Sequence, residues 1–377
     1  MIKENSSKLA LILVGTIVLI IGYLITNGQM TSAGFATSTA IKNQVSVGTK
    51  ARIEREYKHK ITGENLKYYT NTELVDAINA QLEKSLSGNS WQAPNYTNTN
   101  YYTTNGSKEY VYVDIYFDTA DDLLLKQNIS YRLRQRFQNL KEYEAYLKDP
   151  TDPDAQPYRI EFQNKLNRQE LGDGFSTVEE SRFEFRVESE PFSVDNPPPS
   201  LPWHLGDFIG YLQKGKYQDY YLEPTNHLLN YLVPKFTNAT ELKFRPQVVL
   251  VTIRNRLHLS IPTNWGSGPN PEQAFIISID ELRVYDAPSN YDLTIGPMLG
   301  YGQELEIEFE RNTSLELDNA ISNSNGAQQD NLIKIREAFL ADQKNILAQV
   351  QVAFNQIGLE LNSVSKSKYQ EARAIQK

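Results

Sequence analysis

The residues best suited to chemistry in this chain lie two apart. In Glu54-Arg55-Glu56-Tyr57-Lys58, an extended strand turns Glu54, Glu56 and Lys58 to one face, because alternate side chains on a strand point the same way. Two carboxylates and an ammonium aligned like this describe, when taken alone, a solvated sheet face with a favourable charge pair. A second run changes their weight. Arg132, Arg134 and Arg136 alternate in the same manner, and three neighbouring guanidiniums repel one another unless an anion neutralises them. The acidic strand could supply that anion, and so could a phosphate, whose oxygens match the forked guanidinium. Both can hold at once.

Composition limits the remaining chemistry. The chain of 377 residues has no cysteine, which excludes disulfides, zinc–thiolate sites and thiol catalysis. Its four histidines, His59, His204, His227 and His258, form no HxH or HxxxH pair. Metal binding therefore falls to carboxylates, and hence to hard ions such as Mg²⁺ or Mn²⁺. The net charge of −8 argues against a nucleic-acid partner, so any polyanion site must be local.

These residues need strands to hold them. Val, Ile, Tyr and Phe alternate with polar residues over Ala51 to Ile61, Tyr110 to Phe117, Ile129 to Phe137, Tyr158 to Leu166, Ser181 to Glu188, Pro246 to Ser260, Ala274 to Tyr285 and Gln303 to Glu310. That is enough for a closed antiparallel barrel or tunnel. Helical spacing marks Asn71 to Leu86, two short segments near 204–213 and 224–235, and a long amphipathic run from Leu332 through Phe339 and Val350 to Leu361. The segment 189–243, opened by the Pro-rich stretch PFSVDNPPPSLPW, reads as an inserted lid or cap.

With these motifs in order, the chain resembles the CYTH superfamily, the triphosphate tunnel metalloenzymes. The likeness rests on ExExK at 54–58 and on YFDT at 116–119 followed by LL and NISYRLR. YRIEFQNKL at 158–166 looks like the family's fourth strand, with Lys165 as its phosphate-binding lysine. SRFEFRVE at 181–188 looks like the next strand, carrying Arg182, Glu184 and Arg186. VTIRNRL brings Arg254 and Arg256, FIISIDEL brings Asp280, GQELEIE resembles the closing Glu-x-Glu strand, and Ser365-Lys366 resembles the terminal Ser-Lys element. The likeness spans about residues 51–373.

The resemblance implies an α+β fold: an eight-stranded antiparallel β-tunnel with flanking helices. It implies a divalent metal held by Glu54, Glu56 and one or more of Glu304, Glu306 and Glu308, with Glu54, Glu56 and Lys58 carrying catalysis. Arg132, Arg134, Lys165, Arg186, Arg254, Arg256 and Lys366 would grip phosphates. The expected activity is hydrolysis of inorganic triphosphate, polyphosphate or a nucleoside triphosphate. Polyphosphate synthesis is the same-fold alternative, although Gln163 replaces the middle lysine of the polymerase branch's Glu-x-Lys-x-Lys strand. An inactive tunnel serving as an anion-binding or assembly subunit of a membrane complex is the third reading.

The N-terminus adds a membrane. Leu9 to Thr26 is uncharged and apolar over close to the length that spans a bilayer, and it reads as an anchor rather than a cleaved signal peptide. Lys3 and Lys8 precede it and no charge comes after it until Lys42, which puts residues 1–8 in the cytoplasm and the body outside it. Residues 27–48 suit a flexible tether, leaving 49–377 as the tunnel domain. Gly210 to Lys216 imitates a phosphate-binding loop, but Tyr217 stands where Ser or Thr is required.

Overall fold

The structure, a computed structural model, describes residues 52–86, 97–100, 109–149, 152–186, 203–214, 218–261, 272–287 and 296–376. The chain divides into residues 1–48 and 49–377, and every described residue belongs to the second unit. Leu9 to Thr26 and the tether lie outside the described residues. Among those described, no helix is long and apolar enough to cross a membrane.

Eight strands form the wall: β1 (Arg52–Thr62), β2 (Tyr110–Asp118), β3 (Ser130–Phe137), β4 (Arg159–Gly172), β5 (Phe175–Arg186), β6 (Lys243–Ile261), β7 (Glu272–Asp286) and β8 (Met298–Phe309). They pair antiparallel in the order β8-β7-β6-β2-β3-β4-β5-β1, and β1 pairs with β8 to close the barrel. The alternation is inverted relative to a water-soluble sheet. On β2, Val111, Val113, Ile115 and Phe117 point outward into a buried apolar core. Tyr112, Asp114 and Tyr116, on the other parity, face inward. Charge is inside the barrel, and the hydrophobic core lies between the wall and the helices around it.

Those helices are α1 (Asn71–Leu86), α2 (Leu140–Lys148), α3 (Leu205–Lys214), α4 (Gln218–Leu232), α5 (Arg311–Asn323), α6 (Gly326–Gln356) and α7 (Lys368–Gln376). Leu74, Ile78 and Leu82 of α1 meet Phe339, Ile346 and Val350 of α6 in one core, over the outer faces of β1, β7 and β8. Phe208 and Ile209 of α3 and Leu228 and Leu232 of α4 join Tyr131, Phe162 and Leu166 in the other. Burying each such side chain contributes roughly 1.5–3 kcal/mol. The pair α3–α4 therefore covers the outer wall of β3 and β4, where the sequence suggested a lid. Gly210 lies inside α3 rather than in a phosphate loop.

The long helix stops earlier than its apolar spacing suggests. Gly358 adopts φ 73°, a left-handed conformation natural to glycine. Leu359 N–H donates to Phe354 C=O at 2.9 Å, closing α6. Leu361 then falls in a short strand, Glu360–Ser363, paired with the end of β1.

The chain's last helix enters the barrel. Inward-facing Tyr116, Val248, Leu250, Leu282 and Val284 pack on Tyr369 and Ala372 of α7. Asp118 fixes this arrangement from the wall. Its carboxylate accepts from the N–H groups of Thr119, Leu124 and Leu125 at 2.7–2.9 Å, and from the Tyr369 hydroxyl at 2.9 Å. One carboxylate thus caps the turn after β2 and anchors the helix that fills one end of the tunnel.

Candidate active site

What α7 leaves open is a cavity of about 320 Å³ inside the barrel. Twelve lysine or arginine side chains line it against six glutamates, so the surface offered to a ligand is rich in cations although the whole chain is acidic. Further acids, Asp114, Glu161 and Asp280 among them, pair with these cations from outside the lining. Glu54, Glu56 and Lys58 all line it, as alternation on β1 requires, and Arg52 joins them from two residues earlier.

Three carboxylates gather at one place. Ligand oxygens of Glu54, Glu56 and Glu308 lie within 4.8 Å of one another, because the β1–β8 register sets Glu56 opposite Glu308. Burial and the neighbouring Glu54 charge push Glu308 above the usual carboxylate range. Burial also acts to raise Glu54, but Lys165, the hydrogen bond from Glu308 and Arg52 overcome it and hold Glu54 down. Three carboxylates crowded together form an oxygen-only site of the kind that takes a hard divalent cation.

The other two glutamates of the closing strand have different partners. Glu306 contacts Arg254 and accepts from Lys368 Nζ at 2.7 Å. Glu304 lies 3.2 Å from Lys58 Nζ. The shear of the barrel carries both toward α7, away from the carboxylate trio, so the structure groups Glu308 alone of the three with Glu54 and Glu56.

The cations are held by buried acids. Asp114 takes Arg134 on both oxygens at 2.6 and 2.8 Å and Arg132 at 3.0 Å. Burial acts to raise Asp114, but these two guanidiniums hold its pKa at about 2. Arg132 also donates to Gln163 Oε1 at 2.7 Å and to the Tyr116 hydroxyl at 2.7 Å. Arg136 pairs with Glu161, Lys165 contacts Glu54, and Arg254 takes Asp280. Lys58 Nζ sits between Glu304, Glu371 and the Lys366 carbonyl at 3.1–3.2 Å, and these acids raise its pKa against the effect of burial.

Tyr112 organises four of the arginines. The carbons of the Arg134, Arg136, Arg254 and Arg256 guanidiniums lie 4.6–5.7 Å from its ring centroid. A ring face holds cations without neutralising them; three of the four also pair with buried acids, Arg134 with Asp114, Arg136 with Glu161 and Arg254 with Asp280. The fourth, Arg256, lines the cavity and has ring contacts with Tyr110 and Tyr112 in place of a carboxylate.

One of the expected phosphate ligands falls elsewhere, and another, Arg186, has a side chain outside those described. Lys366 is not among the lining residues and contributes its carbonyl to Lys58, whereas Lys368, two residues on, lines the cavity. In the run Ser365-Lys366-Ser367-Lys368 the second Ser-Lys pair faces the site, because α7 begins at Lys368 and directs it inward. The side chains of Arg182, Glu184 and Arg186 lie outside those described; backbone register pairs Arg186 with Arg159. Asp114, Tyr112, Arg52, Glu180, Arg168 and Lys368 were not singled out from sequence. Asp114 and Arg52 had a usable signal, since each shares the inward parity of a neighbouring chemical residue.

One family profile and several solved structures align with this chain. The sequence profile of the CYTH domain family matches residues 97–335, more than half of the chain. A search of curated proteins finds no match. Among solved structures, HpAC1 of Hippeastrum, described as an adenylyl cyclase with a dominant triphosphatase activity, aligns at 14% identity over 85% of this chain and 95% of its own, with a TM-score of 0.34. PH1819 of Pyrococcus horikoshii aligns at 12% over 85% and 99%, with a TM-score of 0.32. The RNA triphosphatase domain of the mimivirus mRNA capping enzyme aligns at 12% over 83% and 94%, with a TM-score of 0.24. From the profile match across most of the barrel, the chain belongs to the CYTH domain family.

Proposed function

We propose that the protein is a divalent-metal-dependent hydrolase of inorganic triphosphate or a related phosphate chain, tethered to a membrane by Leu9 to Thr26. The observation that carries this reading is the pairing, in one cavity, of the Glu54, Glu56 and Glu308 cluster with the excess of lysine and arginine around it. Phosphoryl transfer asks for charge neutralisation and positioning more than for covalent help, and that is what these residues provide. A divalent cation, Mg²⁺ or Mn²⁺, would neutralise phosphate oxygens and favour water as the nucleophile.

The protein's own groups do the rest. Arg132, Arg134 and Arg254 enter with buried acids already at their sides, so their forks are oriented before a ligand arrives. A phosphate chain would take over part of that hydrogen bonding, and Lys165 would exchange its contact with Glu54 for one with phosphate. Lys58 and Lys368 lie where the chain's inner end would stop against α7. Polyphosphate synthesis needs an exit for a growing polymer, and the helix that fills one end of the barrel favours a short substrate entering and leaving by the other.

The full chain in detergent, given tripolyphosphate, ATP or long-chain polyphosphate with Mg²⁺ or Mn²⁺, should release phosphate from at least one of them. Glu56→Gln should lower turnover by about a hundredfold or more while leaving the melting temperature within a few degrees. No turnover of any substrate, with triphosphate affinity unchanged in Arg134→Ala, would refute it.

A further inference from the structure

Strand β4 breaks its own alternation, and the break places an arginine at the carboxylate cluster. Glu161, Gln163 and Lys165 share the inward face, so a regular strand would turn residue 167 inward and Arg168 toward solvent. Instead the β4–β5 register shifts between Leu166 and Gln169, and Asn167 takes φ 51°. A bulge of this kind adds one residue to a strand and re-aims the side chains beyond it. Asparagine tolerates the left-handed conformation better than most side chains. Arg168 therefore turns into the barrel and lines the cavity.

Its contacts give the turn a purpose. The NH1 group donates to Glu56 Oε1 at 3.1 Å and the Nε group to Glu170 at 2.6 Å, which fixes the guanidinium in two directions. The remaining nitrogen, NH2, is buried and has no hydrogen-bond partner among the described residues, on a side chain that lines the cavity. Leaving a buried donor unpaired costs about 1–3 kcal/mol, more for a charged group. An arginine fixed on one metal-facing glutamate, with its spare N–H unpaired, suits a ligand oxygen next to the cation.

We propose that Arg168 contacts the phosphoryl group nearest the Glu54–Glu56–Glu308 cluster through NH2, while NH1 keeps Glu56 turned toward the cation. This rests on the phosphate-chain reading above. It assigns to the β4 bulge the task of supplying a cation on the side of the cavity where Gln163 supplies none.

Binding separates the two ideas. Tripolyphosphate is titrated calorimetrically into the full-length protein and into Arg168→Gln, Arg168→Lys and Glu170→Gln, first in EDTA and then with Mn²⁺. Melting temperature checks each fold, and Mn²⁺ binding without phosphate is followed by electron paramagnetic resonance. Arg168→Gln should weaken tripolyphosphate about tenfold or more in EDTA, as expected for one charge-assisted hydrogen bond. Arg168→Lys should recover part of the loss, and Glu170→Gln should stay within about threefold. Unchanged affinity in folded Arg168→Gln, or a loss confined to the Mn²⁺ titrations, would overturn the contact. Should Arg168→Gln fail to fold, affinity in Arg168→Lys equal to the native protein's would overturn it as well. Absence of turnover in the native protein would refute the hydrolase reading while these titrations still decide Arg168.

Discussion

The two ends of the barrel are made by the same strands with the same alternation, yet they hold opposite chemistry. On β6 and β7 the inward positions at one end are Arg254, Arg256 and Asp280, and at the other Val248, Leu250, Leu282 and Val284. The charged end is left as a cavity, and the apolar end is filled by Tyr369 and Ala372 of α7. Nothing in the backbone separates them. The inner face of a strand becomes a binding surface or a core according to its side chains, while the outer faces pack apolar residues along the whole wall. Fold alone therefore does not locate function.

The contrast predicts where damage goes. Asp280 is shared by Arg254 and Lys368 inside the charged end, so Asp280→Ala leaves two buried cations short of a partner. A loss of about 3–5 kcal/mol in urea unfolding is expected; a loss below about 1 kcal/mol would mean that the charged end is far wetter than it looks. At the apolar end Tyr369→Ala removes a buried ring stacked 4.9 Å from Tyr116 and a hydroxyl bonded to Asp118. It should cost about 3 kcal/mol, and phosphate affinity in the variant that still folds should change less than stability does.

A smaller effect separates packing from charge display. Tyr112→Phe keeps the ring on which four guanidiniums rest and should leave tripolyphosphate affinity within about twofold, whereas Tyr112→Leu should weaken it about tenfold. Equal losses in the two variants would assign the role to the hydroxyl instead.

The last effect concerns the wall outside both ends. Burial lowers the pKa of His59 to about 4 from 6.5, with Asp173 opposing weakly. The folded state thus prefers the neutral ring, and the unfolded state takes up a proton first as the pH falls. Stability from this group is complete above about 6.5 and is lost between about 6.5 and about 4. On moving down through that window the native protein should lose melting temperature relative to His59→Phe; curves that stay parallel would contradict the assignment.

Much of the charged end was legible because strand alternation is a strict rule. Glu54, Glu56 and Lys58, and Arg132, Arg134 and Arg136, face inward as their spacing demands. The limits of the strands were less legible. β4 runs on to Gly172 through the polar Asn167 to Glu170, where no apolar alternation signals a strand, and β8 begins at Met298 in a stretch with two glycines. Arg168 was hidden because a bulge cancels the parity rule that found its neighbours. The choice among Glu304, Glu306 and Glu308 depends on barrel shear, which local sequence does not encode. Lys366 and Lys368 differ only in where a helix starts.

The most direct test is a crystal of the protein grown with Mn²⁺ and imidotriphosphate, a slowly hydrolysed triphosphate. The account predicts a manganese anomalous peak bounded by the carboxylates of Glu54, Glu56 and Glu308, with the phosphates against Arg132, Arg134 and Arg254 inside the barrel. Manganese bound away from that trio, or triphosphate lying outside the barrel, would contradict it.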